Sequence, residues 1–469
     1  MSRGDGKQSR SQILHLGLGS FHRAHQAAYL QELLDRGDRC WSLASGNIRP
    51  GMEDVIDALA AQRGGYTLET VTPAGERSYR RIQSIKHVLP WQADLHPLIR
   101  IGGEASTRIV SFTVTEAGYY LDSSGNLETS SPEIRADLEA VRAGGAGTTL
   151  YGALVPVLRA RLRRAAGPVT LLCCDNLRHN GARSRAGLLQ FIEKLPDPEL
   201  LAWAERDTMS PNSMVDRITP RPNAALRERV RAATGVLDAA PVMSEYFAQW
   251  VIEDRFCGCR PAWELVGVQI VPSVEPYEEA KIRILNASHS VIAWAGALLG
   301  FTFVHEAARD ARVRRWIHEY TDDAIECLRP SPVDLEDYRS ATIERFGNAA
   351  LGDTLQRVAQ DSYAKLKGFV VPTLCERLRK AQPIEGAGLV PALFLAFLQH
   401  WRRDGLGWTY QDGALSTDAA RALTESRDPL AMLCEDAALW GDCAGHPRLS
   451  FELRRAQRRL LALLGTSSV

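Results

Sequence analysis

Two periodicities divide the 469 residues. Up to about residue 271, short apolar runs bounded by glycines and polar clusters read as strands over 12–16, 41–45, 108–115, 169–174 and 264–271. Between them, 3.6-residue spacing predicts helices, notably over 26–35 and 150–164. Strands alternating with helices predict an α/β fold with a parallel, doubly wound sheet whose ligands sit at the carboxyl ends of the strands. The stretch 207–220 is too irregular for one regular element. Beyond Pro276 the strand period disappears, and helices are predicted over 304–327, 332–346, 354–375, 389–404, 418–425, 429–440 and 450–464. Residues 1–275 are therefore expected to form a Rossmann-type domain and 276–469 a mainly α-helical one, with the site in the interdomain cleft.

The second domain opens on Lys281-Ile282-Arg283-Ile284-Leu285-Asn286-Ala287-Ser288-His289 and continues to Phe301 with apolar residues nearly all round, the pattern of a buried helix. At about 100° per residue, Asn286 and His289 lie about 140° and 80° round from Lys281, so the three can face one cleft. Burial disfavours an ammonium and draws a lysine towards neutrality, the condition for a proton acceptor. A buried Asn needs partners, and a substrate oxygen is one. The same residues also fit a core helix with a snorkelling lysine at its mouth and two satisfied polar side chains. The uncharged run from Ile284 to Val304 could span a bilayer, but it carries Asn286, Ser288, His289 and Ser290 and has no companion span, so it is read as buried in a soluble domain.

Composition removes several classes of partner. The chain is 45% hydrophobic and 24% charged, with Lys+Arg equal to Asp+Glu at 56 each, which gives no electrostatic reason to bind nucleic acid or a membrane surface. Nine scattered cysteines indicate reduced thiols in the cytoplasm. The close pairs, Cys173-Cys174 and Cys257-Gly258-Cys259, lack a second pair at zinc spacing, so no metal is expected. Residues 1–12 are polar, without the apolar core of a signal peptide, and are expected to form a frayed tail.

Candidate chemistry falls at the strand ends. Gly17-Leu18-Gly19-Ser20-Phe21 after the first strand has the layout of a dinucleotide-binding turn, in which glycines admit the pyrophosphate and a helix N-terminus attracts its charge. His22 stands where a third glycine is usual. A tight turn without a ligand fits equally, and Arg23 reads either as a phosphate partner or as a solvated surface arginine. The second strand ends in Asn47-Ile48-Arg49 rather than in an acid for the ribose, with Glu53 and Asp54 beyond, so the sequence leaves NAD and NADP both open. Thr113-Val114-Thr115-Glu116 and Cys174-Asp175-Asn176-Leu177-Arg178-His179-Asn180-Gly181 follow two further strands, with Asn176 either a turn former or a site residue. Val215-Asp216-Arg217-Ile218 reads as a surface ion pair or as a carboxylate aimed into the cleft. Arg357 and Lys365, eight apart on one predicted helix and about 80° from each other, could both reach the cleft mouth or lie on a solvated face.

Taken with Met214-Val215-Asp216-Arg217-Ile218-Thr219-Pro220 and the Lys281, Asn286, His289 signature, these motifs resemble the polyol-specific long-chain dehydrogenases, the mannitol dehydrogenase family, from Leu16 to about Gly441. The resemblance implies NAD as cofactor, with Gly17, Gly19, Ser20, Phe21, Arg23, Asn47, Thr115 and Glu116 around it. It implies Lys281 as general base, Asn176 and Asn286 as amides holding the substrate oxygen, His289, Asp216, Arg357 and Lys365 as hydroxyl ligands, and Glu278 as proton relay, without a metal. Lys365 is followed by Leu366-Lys367-Gly368, where relatives carry an apolar residue and proline, which leaves Lys367 as the alternative contact. Ala44-Ser45-Gly46-Asn47-Ile48-Arg49, Leu89-Pro90-Trp91-Gln92-Ala93 and Pro276-Tyr277-Glu278-Glu279-Ala280-Lys281 are most similar to bacterial members that oxidise D-arabinitol to D-xylulose. The expected function is thus reversible oxidation of a polyol to a ketose by a cytoplasmic monomer or small homo-oligomer. Other readings are a different polyol, reduction of a hexuronate such as fructuronate or tagaturonate, and a non-catalytic dinucleotide sensor.

Overall fold

The computed structural model describes residues 11–122 and 124–464, and the chain divides into two compact units, Met1–Thr72 with Glu76–Val274, and Glu275–Val469 with Pro73–Gly75. Most of the polar leading segment 1–12 lies outside the described residues, but Ser11 and Gln12 already belong to the first strand. In the first unit six strands pair in parallel: β1 Ser11–Leu16, β2 Trp41–Gly46, β3 Ile85–Leu89, β4 Thr107–Phe112, β5 Val169–Cys173 and β6 Thr208–Met209. Their spatial order is β3-β2-β1-β4-β5-β6, the doubly wound dinucleotide-fold arrangement, and it reverses between β1 and β4. Successive residues of a strand point to opposite faces, and here both faces are apolar. Ile13, Ile109 and Leu172 join one core cluster while Leu14, Val110 and Leu171 join another.

Two smaller three-stranded sheets complete this unit, one from Tyr66–Val71, Arg77–Ile82 and Val242–Glu245, the other from Ser213–Asp216, Gln249–Glu253 and Gln269–Val271. The expected strand 264–271 is only partly one: Trp263–Val266 coils into a 3₁₀ turn that ends on Gly267 at φ +93°. Arg161, fully buried in the helix Leu150–Arg163, donates to the carbonyls of Gly102, Glu104, Thr107, Ala166, Gly167 and Pro168 at 2.8–3.2 Å. It thereby knots the strand and helix ends around it together.

The second unit is helical. Its centre is Ala287–Leu298, nearly all of it buried, against which Ala311–Leu328, Leu355–Ala359 and Leu389–Arg402 pack. Trp294 at its middle donates to Ser362 Oγ at 2.7 Å. Among the described residues no helix is long and apolar enough to cross a membrane. Several predicted helices are broken. The stretch 304–327 divides at Asp310, whose carboxylate caps Arg312 and Val313 N–H and starts a new helix. The stretch 429–440 divides at Asp436 in the same way. The stretch 354–375 becomes Leu355–Ala359, Ser362–Lys365, a π-helical Leu366–Val370 and Val371–Arg379, because Asp361 takes a left-handed φ of +56°.

Candidate active site

In the first unit, β1 runs into Gly17 at φ +116°, where a Cβ would stand 2.5 Å from the Thr113 carbonyl oxygen, so only glycine fits. Leu18 N–H donates to Asn47 Oδ1 at 2.6 Å, tying the turn to the end of β2. Gly19 precedes the short helix Ser20–Ala24, and a Cβ there would meet nothing within 4 Å, which leaves its backbone open to close approach. Ser20 and Phe21 are half-buried, and the Phe21 ring stacks on His25 at 4.9 Å. His22 takes the third glycine's place by lying flat on His15, with centroids 3.5 Å apart and planes within 6°. His15 Nδ1 and Ser111 Oγ are 2.8 Å apart, and His22 Nε2 and Ser45 Oγ 3.1 Å. Burial pushes His15 down to about 3 and His22 well below its usual value, so the pair packs neutral.

The solvated-surface reading of Arg23 needs correction. It is 1% exposed, donates to the Ala240 carbonyl at 2.6 Å and lies over the Tyr66 ring, so it is no solvated arginine. Arg49 is committed in the same sense, to Thr148 O at 2.7 Å and Tyr120 Oη at 2.9 Å.

β4 ends at Phe112, short of the predicted 115, because Asp175 captures the next amides: Val114 N–H at 2.7 Å and Thr115 N–H at 3.1 Å, with Tyr119 Oη at 2.6 Å on the same carboxylate. Burial works to raise Asp175, and these three donors oppose it. Thr115, at φ +66°, and Glu116 are exposed on this loop. Asn176 follows Asp175 and is exposed. Asn180 is fully buried and donates to Asp175 O at 3.0 Å and Ser213 O at 2.7 Å, while Ser213 N–H returns to its Oδ1 at 2.9 Å. That exchange fixes the strand Ser213–Asp216, at whose end Asp216 is buried. The surface-pair reading of Asp216 and Arg217 does not hold, since Arg217 directs its donors to the Ala24 and Glu245 carbonyls. Neither Asp175 nor Asn180 had been given a role, although both stand in the quoted motif.

In the second unit, Glu278 sits in the helix Glu275–Ala280, and Lys281–Asn286 is a π-helix leading into Ala287–Leu298. Glu278 and Lys281 are 5% and 6% exposed, and Asn286 is half-buried. The wider i→i+5 turn overrides the α-helical angles expected between Lys281 and Asn286. Arg283 anchors it, donating to Thr373 Oγ1 and Glu376 Oε2 at 2.9 Å each. The His289 ring stacks on Phe346 at 4.5 Å, and its Nε2 lies 3.6 Å from Asp353 Oδ2. Burial lowers the imidazole pKa, against the opposite pull of Asp353. Arg357 and Lys365 occupy two helices, not one. Arg357 grips Asp353 with both arms, Nε to Oδ1 at 2.6 Å and Nη2 to Oδ2 at 2.5 Å. Lys365 Nζ donates to Val358 O at 2.6 Å, and burial brings it down to about 8 although Asp361 and Asp353 pull it up. Lys367 is exposed on the second π segment, Leu366–Val370, which packs on the first. His289, Arg357 and Lys365 thus gather about Asp353, a residue that the sequence did not single out. Among the described residues no group of three or more His, Cys, Asp or Glu could hold a metal ion.

Comparison with known proteins agrees with this layout. The mannitol dehydrogenase Rossmann domain matches residues 11–265 and the mannitol dehydrogenase C-terminal domain residues 273–460. The chain is 54% identical to a D-arabinitol 4-dehydrogenase of Ralstonia nicotianae, over 96% of both chains, and 48% identical to one of Klebsiella pneumoniae, over 92% of this chain and 94% of that one. The Pseudomonas fluorescens mannitol 2-dehydrogenase, solved as a ternary complex with NAD and D-mannitol, superposes with a TM-score of 0.82 at 34% identity, over 96% of this chain and 92% of that one. With both halves of its length matched and the glycine turn, the Asp175 loop and the Lys281 helix in place, the chain belongs to the mannitol dehydrogenase family.

Proposed function

We propose that this chain catalyses the NAD-dependent, reversible oxidation of a polyol secondary alcohol to a ketose, with D-arabinitol and D-xylulose as the pair. The observation that carries the reading is the 54% and 48% identity, over nearly the whole chain, to two D-arabinitol 4-dehydrogenases. The glycine turn suits a dinucleotide: Gly19 leaves room beside its backbone where any side chain would intrude, at the point where the strand order reverses. Gly17, Gly19, Ser20, Phe21, Asn47, Thr115 and Glu116 would hold it. The engagement of Arg49 with Thr148 and Tyr120 favours NAD over NADP, since no 2′-phosphate partner stands ready there. Bound NAD would supply the hydride acceptor.

The rest is work for the chain's own side chains. Lys281, 6% exposed, takes the hydroxyl proton as general base. Asn176 and Asn286 donate to the substrate oxygen and stabilise its developing negative charge, an effect of about 3–4 kcal/mol for one preorganised donor. His289, Asp216, Arg357 and Lys365 bind the remaining hydroxyls, and Glu278, one turn before Lys281, passes the proton on. Initial rates of NADH formation with D-arabinitol, D-mannitol, D-sorbitol and xylitol, each with NAD and NADP, test the reading. The highest kcat/KM is expected for D-arabinitol with NAD. Turnover confined to another polyol would discard the substrate and keep the reaction; no turnover of any polyol would overturn both.

A further inference from the structure

We propose that Asp353 sets the substrate class of this site: by neutralising Arg357 and standing beside His289 it reserves both for uncharged hydroxyls and turns away sugars that carry a carboxylate. The inference rests on the reading above, which makes Arg357 and His289 substrate ligands.

The geometry is specific. Asp353 is presented by a clamped backbone, its carbonyl accepting from Val304 N–H at 2.9 Å and the next residues paired back through Phe303 and Leu355 to the 302–304 segment. Its carboxylate is 11% exposed and takes both arms of the Arg357 fork. A guanidinium engaged in this way has spent its Nε–Nη2 edge and its charge on Asp353, which weakens its attraction for a second carboxylate. The other cation nearby, Lys365, directs its ammonium to the Val358 carbonyl. An anionic substrate arriving at His289 would therefore meet the like charge of Asp353, 3.6 Å from the imidazole, with the guanidinium beside it already neutralised. A hydroxyl can donate to that carboxylate or accept from the remaining guanidinium N–H groups, so a neutral polyol suffers no such penalty.

The test compares D-arabinitol with D-arabinonate, which has the same carbon chain with a carboxylate in place of one terminal CH₂OH. Binding of each to the enzyme–NADH complex is measured by calorimetry. Wild type is expected to prefer D-arabinitol by about tenfold or more, D353N to shift the ratio by about tenfold towards D-arabinonate, and D353E to restore the wild-type preference. Adding R357M to D353N should abolish the gain. Equal weakening of both ligands in D353N, or wild-type binding of D-arabinonate as tight as of D-arabinitol, would overturn the proposal. If D353N does not fold, D353S is read by the same ratio: a shift towards D-arabinonate is expected, and an unchanged ratio would refute the idea. Because binding is read separately from turnover, a wild type that binds with this preference but oxidises no polyol would sink the proposed function and not the role of Asp353.

Discussion

Replacing Lys281 with Ala removes the proposed proton acceptor while leaving the glycine turn of the first unit intact. The expected result is a fall in kcat of about 10²–10⁴ with NADH affinity, read by fluorescence titration, near that of wild type. A parallel loss of NADH binding would mean that Lys281 is structural. G17A acts from the other side: the left-handed φ and the Thr113 oxygen 2.5 Å from any Cβ forbid the turn. It should cost about 1–3 kcal/mol of stability and abolish NAD binding, both measurable by thermal shift with and without cofactor. At this scale the sequence revealed what local spacing carries. Lys281, Asn286 and His289 stand out because polar residues open a long uncharged run. Asp353 does not, because its partners come from elements far apart in the chain and its own neighbours spell a turn. The solvated reading of Arg23 failed for a related reason: whether a cation is buried depends on partners such as Ala240, which periodicity does not name.

The element that matters most is the π-helical Lys281–Asn286. An i→i+5 turn holds one residue more than an α-helical turn, so deleting Ile282 should let the segment relax to α geometry and change how the turn presents Lys281 and Asn286. Far-ultraviolet circular dichroism should stay near wild type while turnover falls by at least about 100-fold. Retained activity would make the π geometry incidental. This feature was not legible, since apolar spacing separates a strand from a helix but not one helical pitch from another. The break at Asp310 was legible in principle, as an acidic cap inside an otherwise continuous pattern.

For the molecule as a whole, alternation of strand and helix was enough to foresee the parallel sheet and the helical second half. The small sheets escaped because strands such as Arg77–Ile82 are polar and mostly exposed, and carry no apolar period. Stability should depend on pH through the stacked histidines. His15 titrates at 6.5 when unfolded and at about 3 when folded, so between those values the unfolded chain holds the extra proton. Its contribution is intact above pH 6.5 and lost progressively as pH falls towards 3. His22 acts with the same sign. Urea midpoints measured from pH 7 to 4 should fall steadily, and H15Q should flatten that slope; an unchanged slope would show that other groups govern it. R161M should lower stability by about 3–5 kcal/mol, since burying carbonyls without their donor is the costly outcome. The cage around Arg161 also predicts a pattern of mutational tolerance. Its six acceptors are main-chain atoms, so a half-buried side chain such as that of Glu104 can vary without altering a single bond to the guanidinium. A saturation scan of this region should find that position 161 accepts nothing else, that the half-buried Glu104 and the exposed Pro168 tolerate change, and that the buried Gly102, Thr107 and Ala166 do not.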